Sequence, residues 1–90
     1  MAREGMDVGV VTNDGTRMKM VGDSAIPQLI SAVNGIVQSL QSQWWGPDAQ
    51  SFVQEWESTD RPNLTTIAHE ISSFGQSAVV NAQEQANASR

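Results

Sequence analysis

Residues 42–52 read Ser-Gln-Trp-Trp-Gly-Pro-Asp-Ala-Gln-Ser-Phe (SQWWGPDAQSF), and this stretch at the middle of the 90-residue chain decides the fold. Gly46 suits the end of one helix, because glycine adopts left-handed backbone conformations without steric cost. Pro47 suits the first turn of the next helix, where its missing N–H is not needed. Asp48 follows, where the helix dipole favours an acidic side chain. The stretch therefore predicts a tight turn at Trp45–Pro47 between two helices.

The chain before this turn predicts a first helix. Large apolar side chains recur there at alternating spacings of four and three residues, at Ile26, Ile30, Val33, Val37, Leu40 and Trp44. This spacing is the a/d seam of a heptad pattern, and Leu29 and Ile36 lie beside the seam and widen it. Toward the N-terminus Gly22 and Pro27 weaken the pattern, and Pro27 predicts a kink or a new segment. The polar run at 12–14 offers several N-cap candidates.

The chain after the turn predicts a second helix in two pieces. Phe52 and Trp56 lie on one face of its first piece. Pro62 then predicts a kink or a break, and Asp60 could cap the restarted helix. Beyond the break a second heptad stripe, with spacings of three and four residues, follows at Leu64, Ile67, Ile71, Phe74 and Ala78. No strand-like alternation is present anywhere in the sequence.

These elements predict an all-α fold built from one antiparallel helical hairpin, since two long helices joined by about two residues must run antiparallel. The hairpin forms a single domain over residues 1–90, with flexible ends at about 1–12 and 86–90. Apolar doublets make its apolar face wider than one neighbouring helix covers. We therefore expect two hairpins to pair into a four-helix bundle dimer. The alternative, in which residues 6–24 fold back over the flank, is disfavoured because that segment is Gly-rich and polar.

The composition argues against several classes of protein. Ten acidic and five basic residues leave a net charge of −5, which disfavours nucleic acid as a partner because phosphate contacts need Lys and Arg. The chain has no Cys and one His, His69, so disulfides and a Cys- or His-based metal cluster are not expected. No apolar run approaches the ~20 residues of a membrane span. The N-terminal residues also lack the apolar core of a signal peptide.

Catalytic motifs are weak, and we expect neither enzymatic activity nor a cofactor. His69-Glu70 resembles the start of a zinc protease helix, but the second His is missing. Gly46-Pro47-Asp48 lacks the several glycines and the Lys of a phosphate-binding loop. No motif places a His where it could activate a Ser nucleophile.

The turn and its surroundings resemble a known protein family. Trp44-Trp45-Gly46 lies at the turn of an all-helical hairpin of matching length, with Phe52 and Trp56 following on the second helix. This arrangement resembles the Trp-x-Gly (WXG) family, the small Esx-type, early-secreted-antigen-like (ESAT-like) proteins of bacterial type VII secretion (ESX). The resemblance covers roughly residues 18–89, and the C-terminal tail looks like actinobacterial members in particular.

The resemblance implies a function through partners. Such a protein forms a homodimer, or a heterodimer with another helical hairpin of the family. It is exported from the cytoplasm without a signal peptide, or it escorts a larger secreted toxin or effector to the secretion machinery. Many members or their partners carry a Tyr-x-x-x-Asp/Glu export signal, whereas this chain has no Tyr. A partner chain would then supply the signal. The alternative is a non-secreted structural or adaptor bundle.

The apolar residues also have a packing interpretation. Trp44 can lie across the start of the second helix and seal the turn end of the bundle. For Trp45 a contact with the partner and plain packing are equally open, and Trp56 belongs to the core or the interface. The residues predicted to form the core and dimer interface are Ile26, Ile30, Val33, Val37, Leu40, Phe52, Trp56, Leu64, Ile67, Ile71 and Phe74.

Overall fold

The protein folds as an antiparallel all-α hairpin, as the sequence predicts. The computed structural model describes residues 6–88. The first arm consists of α1 (Val8–Met20), a π-helical turn (Val21–Ala25) and α2 (Ile26–Gln43). The second arm consists of α3 (Pro47–Glu55), a second π-helical turn (Trp56–Asp60) and α4 (Arg61–Ala88). Each arm is one continuous helical rod, because the π-helical turn joins the α-helices on either side of it.

The turn between the arms agrees with the sequence. The first arm ends at Gln43, and Pro47 is the first residue of α3. Gly46 has a φ of 116°, which only glycine adopts without strain. Its carbonyl accepts a hydrogen bond of 3.1 Å from the Gln50 N–H, and this bond closes the first turn of α3.

The N-terminal segment is helical from Val8, which its polarity did not suggest. The first arm starts at Val8, and the Asp7 carboxylate caps it by accepting a hydrogen bond of 3.1 Å from the Val10 N–H. The predicted N-cap at residues 12–14 is therefore wrong, since those residues lie inside α1. Residues 8–24 also do not fold back, but lengthen the first arm and pack against α4. The predicted flexible ends fall partly outside the described residues, and residues 86–88 are helical.

Pro27 and Pro62 break neither arm, because helix continues through both positions. The predicted break at Pro62 and the restart capped by Asp60 are therefore wrong, whereas the kinks stay predictions. Within an α-helix, a proline ring clashes with the carbonyl four residues earlier. Here each proline follows a π-helical turn. The residue before it donates its N–H five residues back, from Ile26 to Val21 O and from Arg61 to Trp56 O. The wider turn makes room for the ring, so the helix continues.

The seam between α1 and α4 is built from the smallest residues in the chain. Gly15 and Gly75 are buried against each other: a Cβ atom at position 75 would lie 2.5 Å from Gly15 O, and one at position 15 would lie 2.8 Å from Gly75 O. A Cβ atom at Gly22 would likewise collide with Ala68 O. Ala82 is also buried. The two helices therefore meet backbone to backbone, with no room for a large side chain.

This seam contradicts the heptad stripe predicted for α4. The buried positions are Ala68, Gly75 and Ala82, whereas Ile67 and Phe74, predicted for the core, are exposed. The prediction followed the spacing of the large apolar side chains within residues 64–78. Small residues one position later fill the seam instead, because the two helices approach too closely for large side chains.

Polar bonds between the arms hold their register. Near the turn, Trp56 is buried and its Nε1–H donates to Asn34 Oδ1 over 2.7 Å. Toward the open end, which is the end of the rod opposite the turn, Ser72 Oγ donates to Asp23 Oδ1 over 2.5 Å. Lys19 Nζ donates to Gln76 Oε1 over 2.8 Å in the same part of the rod. These pairs fit only one antiparallel alignment.

The hairpin is a narrow rod of 65 × 16 × 15 Å. Its radius of gyration is 19.5 Å, against roughly 12 Å for a compact domain of this length. A two-helix rod has no third layer, so each arm keeps flanks that no other part of residues 6–88 covers.

Candidate protein interaction surface

One long side of the hairpin exposes large apolar side chains. Leu29 and Ile36 of the first arm and Ile67 and Phe74 of the second are all exposed. Each of them directly precedes a residue of the seam. Consecutive side chains of a helix point in directions about 100° apart. Because the two arms run antiparallel, the residue before a seam position points to the same long side of the hairpin in both arms. These four residues therefore define one surface, which we call the open face.

Further apolar side chains extend the open face along the rod. Near the open end, Met18, Val21 and Ile71 line a shallow groove of about 530 Å³ between α1 and α4. At the turn end, the rings of Trp44 and Phe52 pack with centroids 6.4 Å apart at an interplanar angle of 39°. Leu40 is exposed between these two regions.

The opposite side of the hairpin is mostly polar. The hydrogen bonds from Lys19 to Gln76 and from Ser72 to Asp23 lie there. Thr65 and His69 border a small cavity on the same side. Met20, with 62% of its surface exposed, borders the groove of Met18, Val21 and Ile71 instead. The two sides therefore differ in the apolar side chains that they expose, although both belong to the same thin molecule.

The turn carries a second, smaller feature. Trp45 is 78% exposed and forms one wall of an open cleft of about 620 Å³, together with Gln41, Ala49 and Gln54. Trp44 packs on Phe52 of α3, in the direction that the sequence predicted, and remains partly exposed. Trp44, Trp45 and Gly46 thus lie together at one end of the rod.

The predicted core and interface residues separate into three groups. Val37 and Trp56 are buried within the hairpin, with 2% and 6% of their surfaces exposed. The half-buried ones line the edge of the seam, at Ile26, Ile30, Val33, Leu64 and Ile71. The exposed ones lie on the open face, at Leu40, Phe52, Ile67 and Phe74.

Sequence reasoning missed the glycine and alanine seam. Gly15 and Gly22 are seven residues apart, as are Ala68, Gly75 and Ala82. This repeat of small residues could have predicted where the arms meet. The large apolar residues next to it have the same spacing, and they predict the contact more strongly.

The described residues offer little support for other kinds of site. Over residues 6–88, no three His, Asp or Glu side chains are grouped so that they could hold a metal ion. None of the helices in that range combines the length and the apolar character that a membrane span requires. His69 lies exposed on α4.

Comparison with protein-family models, curated proteins and solved structures gives no match for this chain. The interpretation of the open face therefore depends on its geometry and chemistry.

Proposed function

We propose that this protein is a partner-binding helical hairpin of the WXG type, which pairs through its open face into a four-helix bundle and acts in type VII secretion. It is exported with its partner or escorts a larger secreted protein. One observation carries the proposal: the hairpin exposes large apolar side chains of both arms on one side, at Leu29, Ile36, Ile67 and Phe74.

The side of the hairpin that carries the open face is large enough for a stable interface. The long side measures 65 Å by 16 Å, and this product is about 1,000 Å² for each partner. Stable protein interfaces bury roughly 1,200–2,000 Å² in total, which two such faces can supply. Large apolar side chains exposed together on one side of a molecule mark an interaction site.

A second helical hairpin is the partner that fits this shape. Leu29 and Ile36 are seven residues apart, and so are Ile67 and Phe74. Two antiparallel rows with heptad spacing accept knobs from two further helices. A membrane surface fits less well, because anionic lipids attract basic residues and the second arm is acidic. Asp48, Glu55, Asp60 and Glu70 are among its exposed residues.

The secretion context is supported by the residues at the turn. Gly46 allows the reversal, Pro47 starts α3, and Phe52 and Trp56 follow on the second arm, as the family resemblance implies. Because the chain has no Tyr, the export signal in this proposal comes from the partner chain.

Two measurements test the proposal. Light scattering and sedimentation at micromolar concentration should give a dimer, or a heterodimer when a second hairpin protein from the same source is co-expressed. Deleting the gene of that partner should then remove this protein from the culture medium. A stable monomer that binds no other hairpin contradicts the pairing, and unchanged export without any partner contradicts the dependence on a partner signal.

A non-secreted adaptor bundle is the second candidate, and the missing Tyr favours it. In that case the protein pairs in the same way but is never found outside the cell. Fractionation of cells with an active secretion system distinguishes the two, since only the first candidate requires the protein in the medium.

A further inference from the structure

A row of carboxylates borders the open face on the second arm. The acidic residues of this row are Asp48, Glu55 and Asp60, and each directly precedes a residue that packs toward the first arm, at Ala49, Trp56 and Arg61. All three acidic residues are exposed. By the same helical geometry as Ile67 and Phe74, their side chains point to the long side of the hairpin that carries the open face. We call these three residues the carboxylate row.

Apolar residues of the first arm lie across from the carboxylate row. The Trp56 Nε1–H donates to Asn34 Oδ1, and this bond aligns the arms so that Leu29 and Ile36 are level with the row. Leu29 and Ile36 have 54% and 59% of their surfaces exposed. In the half of the hairpin nearer the turn, this long side therefore has an apolar edge on the first arm and an acidic edge on the second.

The carboxylate row has no cationic partner within residues 6–88. The ion pair found there joins Glu57 to Arg61 over 3.6 Å, and Glu57 follows a residue that packs toward the first arm, so it points to the opposite side. No hydrogen bond or ion pair of residues 6–88 engages the side chains of the row. Lys19 is bonded to Gln76 on the polar side, and Arg17 lines the groove near the open end. The charge of the row is therefore not neutralised by this part of the chain.

We infer that the open face and the carboxylate row together bind an amphipathic helix of a different protein, one that carries Lys or Arg beside its apolar row. The inference rests on the proposed function and adds the charge of the partner hairpin. The apolar row of the partner helix packs on the open face, and its ammonium or guanidinium groups donate to the carboxylates. Complementary charges at the rim of an interface select the partner and set its orientation.

A second copy of this chain does not offer that chemistry. A two-fold axis along the rod sets the carboxylate row of one copy against Leu29 and Ile36 of the other. A two-fold axis across the rod sets it against the open-end half of α4, where Phe74 lies. Both arrangements bury carboxylates against apolar side chains without a cation, which is unfavourable. Each copy also carries a net charge of −5, so two copies repel each other.

Two designed helices that differ only in the sign of their flanking charges test the inference. Both are peptides of about three heptads with Leu at positions a and d, and positions e and g carry Lys in one and Glu in the other. Fluorescence anisotropy with the full chain measures Kd at concentrations where each peptide is monomeric. We expect the Lys-flanked peptide to bind at least about tenfold more tightly, and this ratio should fall at high salt because salt screens exposed charges. A scrambled peptide of the Lys-flanked composition, which has no apolar stripe, should bind much more weakly than either ordered design predicts for the open face.

Charge-reversal variants locate the contact. Glu55→Lys should weaken binding of the Lys-flanked peptide at least about fivefold and strengthen binding of the Glu-flanked one, and Asp60→Lys repeats the test at a second position of the row. Glu84→Lys is the matched control, because it changes the net charge equally. Glu84 is exposed on α4, two positions after the buried Ala82, and points away from the first arm. Ile36→Ala should weaken binding of both ordered peptides, since it removes an apolar contact that does not depend on charge.

Several outcomes would overturn the inference. They are equal binding of the two ordered peptides, equal effects of Glu55→Lys and Glu84→Lys, and binding of the scrambled peptide as tight as that of the Lys-flanked one. A wild-type chain that dimerises with itself more tightly than it binds the Lys-flanked peptide also overturns it. If a hairpin protein from the same source pairs with this chain at an affinity that neither salt nor Glu55→Lys changes, the inference is wrong and the proposed function stands. If the expected peptide selectivity is found but the chain never reaches the medium, the secretion role fails and the inference stands.

Discussion

At the scale of single residues, the absence of a side chain at Gly15 and Gly75 matters more than any apolar contact between α1 and α4. Each glycine lets the opposite backbone approach within a distance that no Cβ atom tolerates. A methyl group at either position must push two helices apart along a rigid seam.

Gly75→Ala is therefore expected to lower the free energy of unfolding by roughly 1–3 kcal/mol, the usual cost of overpacking, or more because the clash is with backbone. Urea denaturation followed by circular dichroism measures the change. Gly35→Ala is the control, because open space surrounds that position. It should leave stability unchanged or raise it by roughly 0.5–1 kcal/mol. Equal effects at the two glycines would contradict the close seam.

The hydrogen bond between Asn34 and Trp56 fixes the alignment of the arms near the turn. Asn34→Ala leaves the buried indole N–H without its partner, which should cost roughly 1–3 kcal/mol. Trp56→Phe and the double variant complete a double-mutant cycle. A coupling energy near zero would show that the bond contributes nothing to stability.

At the scale of elements, much of the hairpin could be predicted because its signals are local. Gly46 and Pro47 mark the turn, and Ile26, Ile30, Val33 and Val37 give the seam of α2. The stripe of α4 was predicted one position out of register, because large apolar side chains repeat at heptad spacing one position before the small residues that fill the seam. Pro62 was the visible signal of the π-helical turn before it, but a proline predicts a kink as readily.

The extent of the first arm could not be predicted from its apolar pattern. The five large apolar side chains of residues 8–20 form no unbroken heptad pattern, and the packing of this segment depends on glycines that usually weaken a helix. Partial burial against α4 stabilises them, and this long-range contact leaves no local signature in the sequence. The candidate surface was predicted in part. The apolar doublets in the sequence showed that the hairpin has a wide apolar face, but they did not show which large residues of that face are exposed.

The cap at the start of α1 gives a prediction at this scale. Asp7→Ala removes the side chain that accepts from the Val10 N–H and should cost roughly 0.5–2 kcal/mol. Asp7→Asn retains an acceptor and should retain most of the stability. Thermal unfolding measures both, and an unchanged midpoint in Asp7→Ala would place the true start of the helix elsewhere.

At the scale of the whole molecule, the register of the two arms can be measured directly, since the chain has no Cys. Asp23 and Ser72 are hydrogen-bonded across the arms, so Asp23→Cys with Ser72→Cys should form an intramolecular disulfide under mild oxidation at low concentration. Mass spectrometry of the peptides identifies the bond.

Asp23→Cys with Glu55→Cys is the matched control for this experiment. Glu55 lies at the far end of the second arm, near the turn, so this pair should stay reduced under the same conditions. If both pairs close at similar rates, the arms do not keep the alignment that the seam glycines and the polar bonds describe.

The thinness of the hairpin has a further physical consequence. End-on, the rod presents a profile of only 16 × 15 Å, whereas a compact domain of this length is roughly 30 Å across, from its expected radius of gyration. A folded hairpin can therefore thread lengthwise through an opening that would stop a globular protein of equal mass. If two hairpins stack as proposed, the pair doubles only one of the two short dimensions. Such a pair would pass through a slot of that shape without unfolding or separating.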